Sequence, residues 1–309
     1  AMRALDVEMT WTLATVATAI AIAAYLVIGA LARRILLDAP PVILATPAPA
    51  GRKGSRLLDT LIVALVAVVL WWGLIAAFRL NPFFAKGPGD VFVALFLAPD
   101  AGETRATLAG ALFETAAYLL PGYLAGLAAG AGLAVLLVLV PSLASTAMPL
   151  AIALRSVPIV TTAPLVVLLL GRGATGTIVL VAVMVFFPTF VACLHGLRQA
   201  PGQVMDVLDS YAAGPLARLV RVRIPAMLPA FFAAARMAVP ASVLAVTVVE
   251  WLATGNGIGS LMALSASLSD YDILWSSVVL VAVLSALGYA AVGAVEARIL
   301  RIYAPEQLA

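Results

Sequence analysis

Charged residues are scarce in this chain. Asp, Glu, Lys and Arg make up 11% of its 309 residues, whereas hydrophobic residues make up 64%. Soluble domains carry about 25% charged residues, and the mean hydropathy of +1.13 points away from them as well. The composition excludes an ordinary soluble domain and indicates an integral membrane protein. The net charge of +3 gives no reason to expect nucleic acid as a partner.

Cysteine and histidine are almost missing. Cys193 and His195 are the single residues of their types, which excludes a disulfide framework and argues against a metal site. Residues two apart on a helix point in different directions, which argues against a shared ligand role. We interpret Cys193 as a packing residue and His195 as an interfacial imidazole.

Two further patterns are missing. The sequence has no strand-like alternation of apolar and polar residues, so an outer-membrane barrel is disfavoured and the predicted fold class is all-α. It also has no G-x-x-x-x-G-K-[ST] phosphate-binding loop, so the chain is not expected to hydrolyse ATP itself. Gly255, Gly257 and Gly259 superficially resemble a nucleotide fingerprint, but no strand precedes them, and we interpret them as an outer turn.

Long apolar runs predict seven membrane-spanning helices, because about 20 apolar residues cross a hydrocarbon core. The predicted spans cover approximately residues 10–31, 58–80, 113–140, 146–170, 174–197, 225–252 and 272–297. The segment after Asn81 predicts an additional interfacial helix that follows a turn, because its phenylalanines suit the headgroup boundary.

Basic residues are distributed unevenly around these spans. If the charged stretch after Arg198 is cytoplasmic, eleven Lys and Arg residues lie on the cytoplasmic side and five on the outer side, with Arg155 and Arg236 inside spans. The cytoplasmic set is Arg33, Arg34, Arg52, Lys53, Arg56, Arg198, Arg218, Arg221, Arg223, Arg298 and Arg301, and the outer set is Arg3, Arg79, Lys86, Arg105 and Arg172. The positive-inside rule then predicts an outer N-terminus and a cytoplasmic C-terminus.

The first span differs from a cleaved signal peptide. Asp6 and Glu8 precede it, Arg33 and Arg34 follow it, and it is long for a signal-peptide core. We therefore interpret residues 1–31 as a membrane anchor and residues 32–57, which are rich in Pro and Ala, as a cytoplasmic linker. Residues 58–303 form the predicted six-helix body.

A charged stretch from Arg198 to Pro229 interrupts the apolar runs. Its apolar residues recur at helical spacing among charged ones, which predicts two short amphipathic helices broken near Gly214 and Pro215. The apolar set is Val207, Leu208, Leu216, Leu219 and Val220, and the charged set is Asp206, Asp209, Arg218, Arg221 and Arg223.

The same stretch carries the spacing of a known signature. Import permeases of the ATP-binding cassette class have a cytoplasmic loop that reads Glu-Ala-Ala, three residues, Gly, nine residues, Ile, one residue, Leu-Pro. The matching positions here are Asp206, Val207, Leu208, Ala212, Val222, Ile224 and Pro225. Flanking segments at Leu154–Ile178, Phe186–Pro201, Ile224–Pro240 and Glu250–Met262 agree in order and spacing. Over residues 58–300 the chain resembles permeases of the nitrate, sulfonate, taurine and bicarbonate type.

This resemblance implies a transport subunit that performs no bond chemistry. It implies a homodimer, two cytoplasmic ATPase subunits that bind ATP and Mg²⁺, and an extracytoplasmic solute-binding protein that docks near the outer turn, all at a bacterial inner membrane. No cofactor is expected on this chain itself. The residues expected to contact the ATPase are Asp206, Asp209, Ala212, Gly214, Pro215, Arg218, Arg221, Ile224 and Pro225. The alternative is a basic amphipathic helix lying on anionic lipid, against which Asp206 and Asp209 argue.

Ionisable groups inside spans are costly unless they are paired or hydrated. Arg155 precedes a proline, Pro158, that bends its helix, Arg236 falls near the bilayer centre, and Glu250 approaches the outer end of the same helix as Arg236. One hypothesis is that these residues line an aqueous pathway with Glu250 at its outer mouth. The other is that they form interhelical salt bridges, and the sequence leaves both open.

Gly122, Gly126 and Gly130 recur every fourth residue. Small residues at this spacing let two helix backbones approach closely in lipid, so they predict helix packing, either within one subunit or between two.

The predicted function is therefore the permease subunit of an ATP-driven importer of a small solute. Two buried arginines favour an anionic solute, while relatives of this type also carry aromatic or heterocyclic compounds. The alternatives are an ion-coupled secondary transporter, which needs a membrane-embedded carboxylate or inverted repeats, and a membrane scaffold for the ATPase that does not transport.

Overall fold

A computed structural model describes residues 53–143, 166, 169–171 and 173–303. The described residues belong to one compact unit, Ala50–Ala309. The predicted span 10–31, almost all of the predicted span 146–170 and of the predicted linker, and Arg155 and Pro158 lie outside the described residues. Every regular element within the described ranges is helical, in agreement with the predicted all-α fold class.

The described helices follow one another along the chain with short connections. They are α1 (Lys53–Ala77), α2 (Pro88–Phe92) continued by a π-helix (Val93–Leu97), α3 (Ala101–Leu139) followed by a 3-10 turn (Pro141–Leu143), α4 (Ala174–Arg198), α5 (Gly202–Ser210), α6 (Pro215–Arg218) continued by a π-helix (Leu219–Arg223), α7 (Ile224–Val249) continued by a π-helix (Glu250–Thr254), α8 (Gly257–Ser267) and α9 (Tyr271–Tyr303).

Four segments of the described chain are long and apolar enough to cross a membrane. They are α3, α4, the segment Pro215–Leu252 around α7, and α9. Each coincides with a predicted span, and α1 occupies the place of the predicted span 58–80. Helix α3 begins at Ala101 rather than near residue 113, because the polar first turns around Glu103 and Arg105 are compatible with a helix although they are not apolar.

Two shorter helices lie between the predicted spans. The first is predicted from the sequence and the second is not. The interfacial helix expected after Asn81 is α2 with its π-helical continuation. The glycine segment does turn, with a left-handed backbone at Gly255 (φ 78°), but Gly257 then starts an 11-residue helix, α8, that the sequence analysis misses. Glycine lowers helix propensity, which is why three glycines in five residues predict a turn alone.

The glycine stripe of α3 packs against α4 within the same chain. A Cβ atom added at Gly122 would lie 2.8 Å from the carbonyl oxygen of Ile178, and one at Gly126 would lie 2.6 Å from that of Ala182. At Gly130 the nearest backbone oxygen, that of Phe186, would be 2.7 Å away. Real Cβ atoms do not approach this closely, so the two backbones are in contact only because these positions are glycine.

Helix α7 lies at the centre of the bundle. Its buried face forms one core cluster with α3 and α4, consisting of Leu119, Tyr123, Leu127, Val181, Val185, Ala235, Ala238, Val239, Val243 and Val246. The hydroxyl of Tyr123 donates a hydrogen bond of 2.8 Å to the carbonyl oxygen of Ala235. Near the C-terminal end of α4, the absence of a side chain at Gly196 lets the α4 backbone lie close to Met227 on α7.

Aromatic residues join α9 to the segment before α2. The rings of Trp71 and Trp275 stack with centroids 5.6 Å apart, and the indole N–H of Trp275 donates to the carbonyl oxygen of Phe84 over 2.7 Å. Lys86 and Asp272 form an ion pair at 3.3 Å. These contacts lie at the end of the bundle opposite to α5 and α6.

The glycine contact between α3 and α4 makes a direct prediction. Gly126→Ala should destabilise the folded protein by about 1–3 kcal/mol, because the added methyl group overlaps the α4 backbone. Gly132→Ala on the same helix is the matched control, since no atom lies within 4 Å of its Cβ position. Thermal unfolding in detergent compares the two variants. Equal unfolding temperatures would contradict the close packing of α3 on α4.

Candidate functional site: a braced loop, a buried carboxylate and an interhelical ion pair

The 198–224 loop folds as the sequence predicts, with two short helices and a break. Helix α5 ends at Ser210, a turn follows, and α6 starts at Pro215, directly after Gly214. Helix α6 then continues through its π-helix into α7 without interruption. The second short helix is therefore the first part of the central membrane helix, so the loop and α7 form one mechanical element.

Arg218 braces the break between α5 and α6. Its guanidinium forms an ion pair with Asp209 at the end of α5, and its Nε–H donates a hydrogen bond of 2.8 Å to the carbonyl oxygen of Ala213 in the turn. Within the same turn, the N–H of Ala213 donates to the carbonyl oxygen of Leu208 over 2.9 Å. One side chain thus fixes both helices and the turn relative to each other.

The loop exposes apolar side chains although it projects from the bundle. Tyr211 is 80% exposed, Leu216 is 64% exposed and Val207 is 55% exposed. Leu219, in contrast, is buried in a cluster with α3, α4 and α7 and anchors the loop. A braced element with exposed apolar residues on one side and a buried anchor on the other is suited to contact another protein.

The remaining predicted loop residues divide by exposure. Asp206, Ala212, Gly214, Pro215 and Arg221 are exposed, and Ile224 and Pro225 are half-buried where the loop enters α7. Pro225 lies just after the π-helix, at the start of α7, so its missing N–H removes one backbone hydrogen bond where the continuous helix changes from π to α geometry.

Ala212 has an unusual backbone conformation. Its φ is +50°, in the left-handed region that costs a non-glycine residue about 1–2 kcal/mol. This is the position at which the permease signature has glycine. The structure explains the glycine of the signature as a conformational requirement, which this chain meets with a strained alanine.

Glu250 is fully buried, with 0% of its surface exposed. Its Oε2 atom accepts hydrogen bonds from the hydroxyl of Thr115 over 3.0 Å and from the backbone N–H of Gly259 over 2.9 Å. Thr115 in turn accepts from the N–H of Ile258 over 2.9 Å, and Glu114 accepts from the N–H of Gly257 over 3.0 Å. Side chains of α3 and of the end of α7 therefore bind the first three N–H groups of α8.

Two glycines of α8 make room for this arrangement. A Cβ atom at Gly257, where φ is +84°, would lie 2.2 Å from Oε1 of Glu250. One at Gly259 would lie 2.1 Å from the carbonyl oxygen of Thr247. The glycines of the predicted outer turn thus allow α8 to rest on the end of α7.

Arg236 pairs with a glutamate on α9. Its Nε atom lies 3.0 Å from Oε2 of Glu296, and its guanidinium carbon lies 5.7 Å from the centre of the Tyr289 ring. The side chain of Arg236 is 33% exposed and that of Glu296 is 13% exposed. Sequence reasoning missed Glu296, although an acidic residue inside the predicted span 272–297 is the signal that identifies it.

An open cleft of about 360 Å³ lies at the end opposite to the loop and is lined by Lys86, Asp90, Val93, Ala94, Ala98, Asp100, Thr104, Asp270, Asp272 and Ile273. Its carboxylates have structural partners: Asp90 accepts from the N–H of Gly87 over 2.8 Å and Asp270 from that of Ile273 over 3.1 Å. Across the part of the chain that the structure describes, no group of three or more His, Cys, Asp or Glu side chains could hold a metal ion.

A family model described as a binding-protein-dependent transport system inner membrane component matches residues 122–301. The chain belongs to this family, and the predicted resemblance to importer permeases is confirmed. It is a multi-pass membrane permease subunit and not an enzyme, since ATP hydrolysis in such systems belongs to separate ATPase subunits.

Several characterised or named permeases are similar to the chain. It is 28% identical over 232 residues to a probable ABC transporter permease protein of Haemophilus influenzae. The aligned residues cover 74% of this chain and 91% of that protein. It is 23% identical over 240 residues to the taurine transport system permease protein of Escherichia coli, covering 77% and 86%. It is 27% identical over 148 residues to the formylaminopyrimidine transport permease protein of Halalkalibacterium halodurans, covering 48% and 59%.

The strained turn of the loop generates one prediction. Ala212→Gly should stabilise the turn by about 0.5–1 kcal/mol, because glycine removes the left-handed penalty and returns only part of it as chain entropy. Hydrogen exchange of the loop amides, that of Ala213 in particular, should slow. Ala213→Gly, at a position without a positive φ, is the control and should speed exchange. Equal rates in Ala212→Gly and the unmodified chain would contradict the strain.

The ion pair between Arg236 on α7 and Glu296 on α9 generates a second prediction. Arg236→Glu and Glu296→Arg should each lower stability, by about 3 kcal/mol or less because Arg236 is partly exposed, and the double exchange should restore most of the loss. The yield of folded protein by size-exclusion chromatography measures the loss and its recovery.

Arg236→Gln separates the pathway hypothesis from the salt-bridge hypothesis. A folded protein that no longer transports supports an aqueous pathway at Arg236, whereas poor folding supports the bridge.

Proposed function

We propose that this chain is the membrane permease of an ATP-driven importer for a small solute, which acts as a homodimer with two cytoplasmic ATPase subunits. An extracytoplasmic binding protein delivers the solute. The observation that carries the proposal is the 198–224 loop, which is exposed, braced by Arg218, and continuous with the central helix α7. The alternative of an amphipathic helix lying on lipid requires no brace and no such continuity.

The proposed contact with the ATPase uses the exposed apolar residues of the loop. Val207, Tyr211 and Leu216 are more than half exposed, and burying them in a groove of the ATPase is favourable at about 25 cal/mol per Å² of apolar surface. Asp206 and Arg221 are exposed beside them and suit the polar rim of such an interface.

The proposed mechanism is alternating access. When ATP brings two ATPase subunits together, each loop moves with its ATPase as a rigid body. Because α6 continues into α7, the movement rotates or shifts the central helix instead of being absorbed in a flexible joint. Closure of the ATPases opens the pathway toward the outer side, and hydrolysis resets it.

The proposed orientation places the 198–224 loop in the cytoplasm. Arg198, Arg218, Arg221 and Arg223 lie in or next to it, and Arg298 and Arg301 lie at the same end of the bundle on the last turns of α9. The positive-inside rule supports a cytoplasmic position for this end. The opposite end, with α2, α8 and the acidic cleft, is then the outer face on which the binding protein docks.

We propose packing roles for Arg236 and Glu250 instead of positions along the pathway. Arg236 has a partner of opposite charge in Glu296, and Glu250 is enclosed by α3, α7 and α8 without exposure. The charge of Arg236 is compensated by Glu296, whereas Glu250 is held by hydrogen bonds from Thr115 and Gly259 to its Oε2 atom. Arg155 and Pro158 remain hypotheses for the pathway.

The pairing of Arg236 also changes the argument about substrate. An arginine that is paired with a glutamate no longer favours an anionic solute. The preference for an anionic solute then depends on Arg155 alone. Relatives are named for taurine and for formylaminopyrimidine, one a small zwitterionic sulfonate and the other a heteroaromatic compound. We propose a small polar solute of either kind, selected mainly by the binding protein.

Reconstitution into liposomes with the cognate ATPase and binding protein tests the function. We expect solute uptake that requires ATP and is stimulated by the binding protein. Val207→Asp and Leu216→Asp should each weaken ATPase binding at least tenfold, because a carboxylate would be buried in the apolar contact. Leu268→Asp, at an equally exposed position at the other end of the bundle, is the control and should bind the ATPase normally.

Two results would overturn the proposal. Uptake by the chain without nucleotide or ATPase would favour a secondary transporter. ATPase binding without any uptake or any stimulation by the binding protein would favour a scaffold.

A further inference from the structure

The start of α8 is capped by residues that are distant in the sequence. Helix α8 has Asn256 at its N-cap position, yet the side chain of Asn256 makes no capping hydrogen bond. The N–H groups of Gly257, Ile258 and Gly259 instead donate to Glu114, Thr115 and Glu250, respectively. Helix starts are normally capped by a local side chain, so this cap joins three separate helices.

Two of the three acceptors of the cap are withdrawn from solvent, which stiffens this part of it. Glu250 and Thr115 are both 0% exposed, and a buried hydrogen bond that breaks leaves its partners without water to replace it. Thr115 is central to the arrangement because its hydroxyl donates to Glu250 and accepts from Ile258. Opening the joint would therefore leave several buried polar groups unpaired at once.

Because positions 257 and 259 are glycine, no side chain separates the backbone of α8 from the end of α7. With Gly257 against the carboxylate of Glu250 and Gly259 against the carbonyl oxygen of Thr247, α8 rests directly on the last turn of α7 and on its π-helical continuation. π-helical turns inside longer helices frequently mark functional positions. The joint is thus a backbone contact held by Glu250, Thr115 and Glu114.

The position of the joint connects it to the 198–224 loop. Glu250 lies 26 residues after Ile224 along α7 and its continuation, which corresponds to about 39 Å at 1.5 Å per residue. Helix α7 therefore has the loop at one end and α8 at the other. Helix α8 also packs against α3 and α9, so its movement alters the end of the bundle opposite to the loop.

We propose that Glu250 is a positioning residue for transport, and that with Thr115 it transmits the movement of α7 to α8. The carboxylate acts as the rigid link between the two helices and does not touch the solute. This inference depends on the proposed importer function, because it assigns to α7 a movement that the ATPase generates.

The acceptor geometry makes the test specific. Glu250→Gln keeps a side-chain oxygen that can accept from Gly259 and Thr115, whereas Glu250→Ala removes it. Glu103→Ala, which deletes an exposed carboxylate on the first turn of α3, is the matched control. All variants carry Leu268→Cys with a spin label at the end of α8, in a background where buried Cys193 is replaced by alanine.

We expect the label to change mobility between nucleotide-free and vanadate-trapped complexes in the unmodified, Glu250→Gln and Glu103→Ala proteins. In Glu250→Ala this change should be lost and solute uptake should fall at least tenfold, while basal ATP turnover stays within twofold. A nucleotide-dependent mobility change that persists in Glu250→Ala would overturn the inference. Loss of uptake in Glu250→Gln equal to that in Glu250→Ala would also overturn it.

Thr115→Val provides a second, milder variant if Glu250→Ala does not assemble. It should reduce both the mobility change and uptake, and Thr115→Ser should restore them because serine keeps the hydroxyl. An assembled Thr115→Val complex with an unchanged mobility response would overturn the inference, as would failure of both Glu250→Ala and Thr115→Val to assemble. An unmodified complex with neither ATP-dependent uptake nor stimulated turnover would instead refute the proposed function.

Discussion

Polar groups that leave water in this bundle have to be satisfied inside it, and the arrangement of the central helices follows from that constraint. A helix that starts within the bundle presents free N–H groups, and a charged side chain within a span carries a large desolvation cost. The protein meets part of both demands with a few long-range contacts. Glu250 and Thr115 bind the start of α8, and Glu296 neutralises Arg236.

Direct connection is the common property of the parts that we assign to transport. The 198–224 loop is braced by one arginine, α7 extends from that loop to Glu250 as one helical column, and α3 and α4 are in backbone contact through glycines. A motor that acts at one end of a protein can move the other end only if the intervening elements do not bend. The polar joints and the small-residue contact serve this purpose in different ways, the first by hydrogen bonds that water cannot replace and the second by close packing.

Local pattern was sufficient for most of the described fold and for the outline of the loop. Apolar runs predicted α3, α4, α7 and α9, and the amphipathic spacing around Gly214 predicted the break between α5 and α6. Helix α8 was missed because its glycines have low helix propensity, and the hydrogen bonds that hold its first turn come from other helices. Ala212 shows the opposite case, since a known signature has glycine there and only the observed φ explains why.

The sequence by itself determined that this is a helical membrane protein with a charged, helical loop between its apolar spans, because composition and periodicity act over short stretches of chain. It also determined which residues are out of place in lipid. Only the tertiary structure decided what those residues meet. Thr115 and Glu250 are 135 positions apart, and Gly126 meets a backbone more than 50 residues away. Periodicity gives the direction in which a side chain points, whereas its partner depends on how the helices pack.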